Sequence, residues 1–347
     1  MGEQDTLSLV DQSTLINVLN VNARMRDGRY DNRAVLSADY NYDRLTHSDD
    51  SRVASAYGEI KDRELGYTAR LGRQPSASGG VLTRFDGGLF SYSVSPTLGV
   101  NVVAGSPVDK VAPKSDRTFY GASVDLGGVG TGLSTNLYYL HQDIDGITDR
   151  EAIGTELRYF RDGASVFGLV DYETSYKELN IFLLQGNWIS AAGTVYNVLL
   201  DYRKSPPLQT SNALIGETAG SIEELLATQS EDQIRSDARA KTATSKVAAV
   251  GVLHPLSTRW QVGADLTVTN TSGTPAAGSQ PASAATGNIY TYAGKLIGTG
   301  LVTTSDVGVA SVAHTTGNAY DANSIAITHR IPLGRLRVDV LLKHYEQ

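Results

Sequence analysis

Apolar and polar residues alternate along residues 86–105, DGGLFSYSVSPTLGVNVVAG. The apolar positions, interrupted only by Ser-Pro-Thr, are Phe90, Tyr92, Val94, Leu98, Val100, Val102 and Ala104. Small or polar residues stand between them, with Leu89 and Val103 as exceptions. A period of two residues places successive side chains on opposite faces of a β-strand. The stretch therefore predicts two strands joined by a tight turn.

The same alternation recurs through almost the whole chain. The clearest run sets apolar positions at 260, 262, 264, 266 and 268 against polar or glycine positions between them. We count about eighteen such segments, centred near residues 20, 38, 56, 69, 91, 101, 122, 137, 155, 168, 183, 199, 249, 264, 293, 310, 327 and 340. Each is long enough to cross a membrane as a tilted strand of about 9 to 11 residues. One continuous sheet is the simplest interpretation.

The predicted connections between these segments are of two kinds that take turns along the chain. The short ones lie at 95–97, 127–130, 161–163, 191–193, 255–257 and 332–334. The long polar ones lie at 106–116, 141–150, 204–243, 270–287 and 315–322. Short turns on one side and long loops on the other are typical of outer-membrane barrels, whose short turns are periplasmic.

Residues 205–241 depart from the β pattern. Ser-x-x-Glu at 221–224 and Ser-x-x-Gln at 230–233 fit capping boxes, which predict the start of short helices. The helices would carry four apolar residues, Ile222, Leu225, Leu226 and Ile234. The segment is interpreted either as a surface loop on the barrel rim or as a lid over the lumen.

The loop 74–86, QPSASGGVLTRFD, is a second candidate for a special conformation. Its glycines permit tight bending next to Arg84 and Asp86. We consider two alternatives for it, an inward constriction and a simple outer loop.

The solvent on each face decides the fold class. A mean hydropathy of −0.19 is ordinary for a soluble protein, and no window approaches the roughly 18 apolar residues that a membrane helix needs. A β-barrel escapes that test because its lipid-facing residues alternate with polar ones. Closure of so many strands removes the sheet edges and leaves an aqueous channel. We predict an all-β fold, a transmembrane antiparallel up-and-down β-barrel of about 16–18 strands with long extracellular loops, in the bacterial outer membrane.

The predicted barrel is a single domain over residues 1–347, with an N-terminal extension at 1–11. Strict alternation leaves the last segment, 335–346, ending on the side of the long loops, and the first segment has the same difficulty. We expect either miscounted strands or a piece of a larger barrel, and favour the piece. The start MGEQDTLSLV lacks the basic and apolar regions of a signal peptide, so an exported protein would be mature or truncated here.

Two sets of site residues follow from this fold. Charged residues on the face away from lipid would line the pore: Arg70, Arg84, Asp86, Asp125, Glu156, Arg158, Asp201, Arg203, Asp265 and Arg337. Arginines facing carboxylates across the lumen would set up a transverse field. Six aromatic residues are the candidates for the membrane-interface girdle: Tyr138, Tyr172, Trp188, Tyr202, Trp260 and Tyr290.

Five runs of the sequence share a further likeness. They are RLGRQPSASGGVLTRFDGGLFSYSVSPTLGVNVVAGSPV, DRTFYGASVDLG, FGLVDYETSYKELNIFLLQGNW, LLDYRKSPPLQTSNALIGE and SIEELLATQSEDQIR. Together they resemble the C-terminal barrel region of large proteobacterial outer-membrane proteins that carry tetratricopeptide repeats before the barrel. The resemblance spans roughly residues 15–345, contains no catalytic motif and implies an export or transport component. This chain contains no such repeat, and the family pattern continues beyond Gln347, which favours a truncated, porin-like barrel.

Enzymatic and metal chemistry finds little support in the sequence. His47 and His141 lie at predicted loop ends beside acidic residues, without a recognisable triad. Asp143, Asp145 and Asp149 resemble the start of a calcium loop that lacks its bidentate Glu. The chain has no cysteine, and its formal charge is −7. We expect no enzyme, no cofactor, no metal and no nucleic-acid partner.

The leading functional hypothesis is a porin-like channel or an export conduit for polar solutes or a secreted polymer. The alternative is a closed structural or adhesive barrel that binds a partner through its long loops. A third hypothesis, an outer-membrane hydrolase, would depend on His47 or His141. Outer-membrane lipid and lipopolysaccharide are the expected partners. The resemblance implies a periplasmic repeat domain or export machinery as a further partner.

Overall fold

The chain forms an antiparallel β-sheet of eighteen strands in the computed structural model, which describes residues 13–75, 79–108, 112, 114–128, 132–318, 320–334 and 336–346. The strands are β1 (Thr14–Arg26), β2 (Tyr30–Asp43), β3 (Ser48–Asp62), β4 (Tyr67–Gln74), β5 (Phe85–Ser95), β6 (Leu98–Pro107), β7 (Arg117–Leu126), β8 (Leu133–Ile144), β9 (Ile147–Arg161), β10 (Ala164–Glu173), β11 (Glu178–Ile189), β12 (Val195–Ser205), β13 (Ala243–Pro255), β14 (Trp260–Thr271), β15 (Ile289–Thr299), β16 (Val307–Gly317), β17 (Tyr320–Leu333) and β18 (Leu336–Glu346). Between β12 and β13 lie a 3₁₀ turn (Thr210–Leu214), α1 (Ile222–Leu226) and α2 (Glu231–Ala240). We call residues 206–242 the insertion.

The order of the strands in the sheet follows the order of the chain. Each strand pairs antiparallel with the next, from β1 with β2 to β17 with β18. Each of the eighteen predicted segment centres falls inside one strand. The prediction of an all-β, antiparallel, up-and-down fold is therefore confirmed.

Strands β1 and β18 are the two edges of the sheet. Within the described ranges no backbone pairing joins them, and the described side chains of both strands are exposed along their length. Because the number of strands is even, β1 and β18 run in opposite directions. That is the orientation in which two edges of an up-and-down sheet can pair.

The four longest connections all lie at one end of the sheet, as the sequence predicts. One end, the short-turn end, carries 27–29, 63–66, 96–97, 127–132, 162–163, 190–194, 256–259, 300–306 and 334–335. The other, the long-loop end, carries 44–47, 75–84, 108–116, 145–146, 174–177, the insertion, 272–288 and 318–319. Strand β1 begins and β18 ends at the long-loop end, as the alternation predicts.

Two predicted long loops need correction. The sequence predicts long polar loops at 141–150 and 315–322, but only two residues separate β8 from β9 and two separate β16 from β17. The strands continue through these polar residues because the cross-strand ladder is maintained by backbone hydrogen bonds, whatever the side chains. Polar composition marks where the apolar pattern ends, which is not the end of the strand.

The register defines two faces of the sheet. One, the polar face, carries Glu59, Arg70, Asp125, Asp201 and Asp265. The opposite, apolar face carries residues such as Phe90, Val102, Val250, Leu266 and Val312. Cross-strand partners share a face, so each strand continues both surfaces of its neighbours.

The insertion shows that the sheet is curled. Lys114 N, in the loop before β7, donates to Gly220 O at 3.3 Å, and Ser279 N, in the loop after β14, donates to Gly216 O at 2.8 Å. Gly216 and Gly220 lie at most about 14 Å apart along the chain. Strands β7 and β14 are seven places apart, which is about 34 Å along the sheet. The sheet must therefore curve so that these two strands come close to each other, and the insertion spans the gap between them at the long-loop end. It packs on Ile144 of the polar face.

Gly154 in β9 allows a side chain to cross the strand. The Tyr138 hydroxyl passes over it from β8 and donates to Asp171 Oδ2 on β10 at 2.6 Å. A Cβ at Gly154 would overlap this hydroxyl and the Val170 carbonyl oxygen. We expect Gly154→Ala to lower the free energy of unfolding by about 1–3 kcal/mol, measured by urea titration of the refolded chain.

Gly58→Ala is the matched control, because nothing lies within 4 Å of a Cβ built there on β3. Equal effects of the two substitutions would show that the crossing of Tyr138 over Gly154 does not constrain this position.

Candidate functional site

The polar face brings most of the predicted pore-lining residues together. Eight of the ten lie on it: Arg70, Asp125, Glu156, Arg158, Asp201, Arg203, Asp265 and Arg337. The assignment of Asp86 needs correction, because it pairs across the apolar face with Arg73 at 2.7 Å. That pair stands at the long-loop end of β4 and β5, next to the loop that holds Arg84.

Charges on the polar face pair with neighbours on the same wall. Ion pairs join residues on adjacent strands or two positions apart: Arg70 with Glu59, Arg158 with Glu156, Arg203 with Asp201, Lys295 with Asp265, and Arg330 and Arg337 with Asp339. The distances run from 2.5 Å for Arg203–Asp201 to 3.1 Å for Arg158–Glu156. The prediction that arginines face carboxylates across the lumen is corrected for Arg70, Arg158 and Arg203, because each has a carboxylate partner on its own wall. Asp125 accepts from the Asn101 and Asn136 amides.

The loop between β4 and β5 folds onto the polar face. Val81 and Phe85 are buried against Phe119, and the two exceptions to the alternating pattern, Leu89 and Val103, pack in the same cluster. Leu89 and Val103 are apolar although they lie on the polar face, because the loop covers them. Of the two alternatives considered from the sequence, the inward loop is the one that the structure has.

Glycines let this loop approach the wall closely. Gly79 and Gly80 have φ values of +80° and +81°, a conformation that L side chains rarely adopt. A Cβ at Gly80 would overlap the Tyr138 ring. The loop is held there by Arg150, whose Nη1 donates to the Gly80 carbonyl oxygen at 2.8 Å.

Arg150 is the centre of a buried charged network that sequence reasoning missed. Its side chain is only 3% exposed, and its Nη2 lies 2.5 Å from Asp171 Oδ2. Its Nε lies 3.7 Å from Glu173 Oε2, and both carboxylates are fully buried. Asp171 also accepts from Tyr138 and, through Oδ1, from Asn180 at 3.0 Å. A single guanidinium therefore links β9, β10 and the inward loop.

Two β-bulges attach the insertion to the sheet. The β8–β9 register shifts at Asp149 and the β10–β11 register shifts at Asn180, both near the long-loop end. Asp149 Oδ1 accepts from Ser211 N at 2.7 Å, and Asn180 Oδ1 accepts from Leu208 N at 2.9 Å. A bulge adds one residue to a strand and redirects its side chain, which here reaches the insertion.

The insertion has a hydrophobic core of its own. The two helices begin where the capping boxes predict, since Ser221 Oγ accepts from Glu224 N and Ser230 Oγ accepts from Gln233 N. The insertion's larger buried side chains, packed against Ile144 and Tyr176 of the sheet, are Leu208, Leu214, Ile222, Leu225 and Ile234. The insertion is therefore fixed to the sheet by packing as well as by hydrogen bonds.

Two turn residues at the long-loop end complete this attachment. Burial raises the pKa of Tyr176 to about 12, so it remains a neutral hydroxyl 3.1 Å from Thr210 Oγ1. Burial also favours a higher pKa for Asp145, but hydrogen bonds from Ser115 and from backbone amides outweigh it and lower the pKa. Asp145 thus stays charged and accepts from the Ile222 amide at 2.9 Å.

Five of the six predicted girdle residues lie on the apolar face near strand ends. Tyr172, Tyr202 and Tyr290 stand at the long-loop end, whereas Trp188 and Trp260 stand at the short-turn end. Tyr138 is the exception and needs correction, because it lies on the polar face and is buried at 5% exposure. Successive side chains of a strand point to opposite faces, and the two neighbours of Tyr138 in sequence lie on the apolar face.

The residues considered for catalysis and calcium binding have local partners. His141 Nε2 lies 2.9 Å from Asp143 Oδ1, and His47 Nδ1 lies 3.1 Å from the Tyr42 hydroxyl. No hydrogen bond joins either histidine to a serine within the ranges that the structure describes. The same ranges contain no group of three or more His, Cys, Asp or Glu side chains arranged to hold a metal. No described helix has both the length and the apolar character to span a membrane.

Comparison with known proteins gives structural similarity at low sequence identity. No family model matches the sequence, and no curated protein matches it. OccAB3 of Acinetobacter baumannii is 10% identical with a TM-score of 0.42, over 95% of this chain and 92% of that chain. A BenF-like porin from Pseudomonas fluorescens Pf-5 is 9% identical with a TM-score of 0.43, over 95% and 92%. An anion-selective porin from Comamonas acidovorans is 11% identical with a TM-score of 0.38, over 79% and 95%.

These comparisons do not support the resemblance to tetratricopeptide-linked barrels, an export conduit or an adhesive barrel.

Proposed function

We propose that the chain forms a porin-like channel for small polar solutes in the outer membrane of a Gram-negative bacterium. The observation that carries this proposal is the exposure of large side chains on the apolar face, where Leu71 is 73%, Val102 53% and Val312 55% exposed. Contiguous apolar surface across so many strands is rare on water-soluble monomers. Outer-membrane lipid and lipopolysaccharide are the partners that would cover it.

The edges and the polar face support a closed channel in that setting. An unpaired backbone group in hydrocarbon costs several kcal/mol, so β1 and β18 need partners in the membrane. Their opposite directions allow them to pair with each other and close the barrel. A barrel of about 16–18 strands is too wide for its side chains to fill, which leaves a lumen lined by the polar face.

Planar bilayers test this proposal. The refolded chain is expected to give discrete conductance steps, together with a heat-modifiable band on gels. Val312→Arg places a charge on the apolar face of β16 and should lower the free energy of unfolding in bilayers by about 2–4 kcal/mol. The matched control is Ala313→Arg, which points to the polar face and should cost much less.

Equal costs for the two arginines would contradict lipid contact on the apolar face. A folded chain without conductance steps would contradict an open channel.

A further inference from the structure

The polar face of β10–β14 holds a cluster of uncharged hydrogen-bonding groups. Three side chains carry carboxamides, and two carry hydroxyls: Gln185, Asn187, Asn197, Ser165 and Thr267. They line a cavity of about 570 Å³ in the half of the sheet toward the short-turn end. We call these five residues the amide patch. The size falls within the roughly 300–1,000 Å³ that is typical of small-molecule sites.

The register concentrates these groups. Asn187 stands directly opposite Asn197 on β12 and opposite Ser165 on β10. Gly251 is the next partner of Asn197, and Asp265 is the next partner of Gly251. Because glycine has no side chain, the Asp265 carboxylate lies over Gly251 at the floor of the cavity, where a Cβ would overlap Asp265 Oδ1.

The carboxamides of the amide patch are available to a solute. Within the described part of the chain, the side-chain amides of Gln185, Asn187 and Asn197 form no hydrogen bond with another protein group. Amides elsewhere on the polar face are engaged, since Asn101 and Asn136 both donate to Asp125 at 2.7 Å. The amide patch therefore presents donors and acceptors that only water or a solute can satisfy.

The chemistry of the amide patch favours an uncharged ligand. Asp265 at its border is paired with Lys295 at 3.0 Å, so it adds no free charge. Phe167 stands opposite Gln185 in the register, and the Arg158 guanidinium, which is paired with Glu156, lies 5.9 Å from the centre of its ring. A carboxamide is both donor and acceptor, as a hydroxyl is, and a sugar ring combines hydroxyl edges with an apolar face.

We propose that the amide patch binds uncharged polyhydroxylated solutes of about disaccharide size as they pass through the lumen. This inference rests on the proposed channel function. It assigns the solute class by the uncharged hydrogen-bonding groups on one wall, whereas the ion pairs elsewhere on the polar face consist of charged groups.

Current block by maltose in planar bilayers tests the amide patch. Maltose is expected to reduce the ion current of the wild-type channel with saturation. A triple variant, Gln185→Ala with Asn187→Ala and Asn197→Ala, should require about tenfold more maltose for half-maximal block. Gln261→Ala is the matched control, a carboxamide on the same face outside the amide patch, and should leave the block unchanged.

Equal, unsaturated reduction of current in wild type and triple variant would overturn the inference, and so would stronger block by sodium gluconate than by maltose. Absence of any conductance would contradict the channel instead. In that case, titration calorimetry of the folded chain in detergent tests the inference. Saturable heat of maltose binding that is lost in the triple variant would support it. Absence of binding heat in both wild type and triple variant would overturn it.

Discussion

Replacement of the insertion by a short turn is expected to raise the single-channel conductance by about twofold or more, because the segment that crosses the long-loop end of the lumen is removed. The sheet allows this change, since Ser205 and Ala243 are directly paired at the ends of β12 and β13. Paired strands lie about 5 Å apart, so a glycine-containing turn can join them. Conductance in planar bilayers measures the result.

The deletion exposes polar groups that water can satisfy. Asp149 and Asn180 lose the amides of the insertion, but both side chains then face the aqueous end of the sheet. A heat-modifiable band should verify that the variant folds. The control is Asp232→Asn on the exposed side of α2, which should leave the conductance unchanged. A folded deletion variant with wild-type conductance would mean that the insertion covers none of the opening.

The strands were predictable because each one separates two environments. Side chains that alternate between an apolar and a polar face produce a period of two over the full strand, and all eighteen centres were found from it. The exceptions to this period also have a structural cause. Leu89 and Val103 break the pattern where the inward loop covers the polar face, a relation that becomes visible only once the loop is placed.

The details of the site depend on register, which the sequence does not contain. Asp149 and Asn180 attach the insertion because each is the extra residue of a bulge, and a bulge is defined by the partner strand. The sequence predicts Tyr138 as a girdle residue because it is aromatic, but it stands in the middle of β8 with its side chain on the polar face. Asp86 lies at the long-loop end of β5, where its side chain is 47% exposed in the pair with Arg73 on the apolar face.

Arg150→Ala is expected to have the largest effect of any single substitution on stability. It would leave Asp171 and Glu173 buried without their cation, and loss of one partner from such a network costs about 3–5 kcal/mol. It would also free the Gly80 carbonyl and with it the inward loop. We therefore expect a lower free energy of unfolding in urea, accompanied by larger current fluctuations in open channels.

Arg158→Ala serves as the matched control, because Arg158 stands on the same strand and face but is 66% exposed in its pair with Glu156. Exposed pairs contribute about 0–1 kcal/mol, so this variant should remain close to wild type. Arg150→Lys separates charge from geometry: it keeps the cation but lacks the planar fork that reaches Asp171 and Gly80 together. It should recover part of the stability and retain the current fluctuations. If Arg150→Lys had wild-type stability and wild-type current fluctuations, the network would need only a positive charge. If Arg150→Ala showed no increase in current fluctuations, Arg150 would not hold the loop.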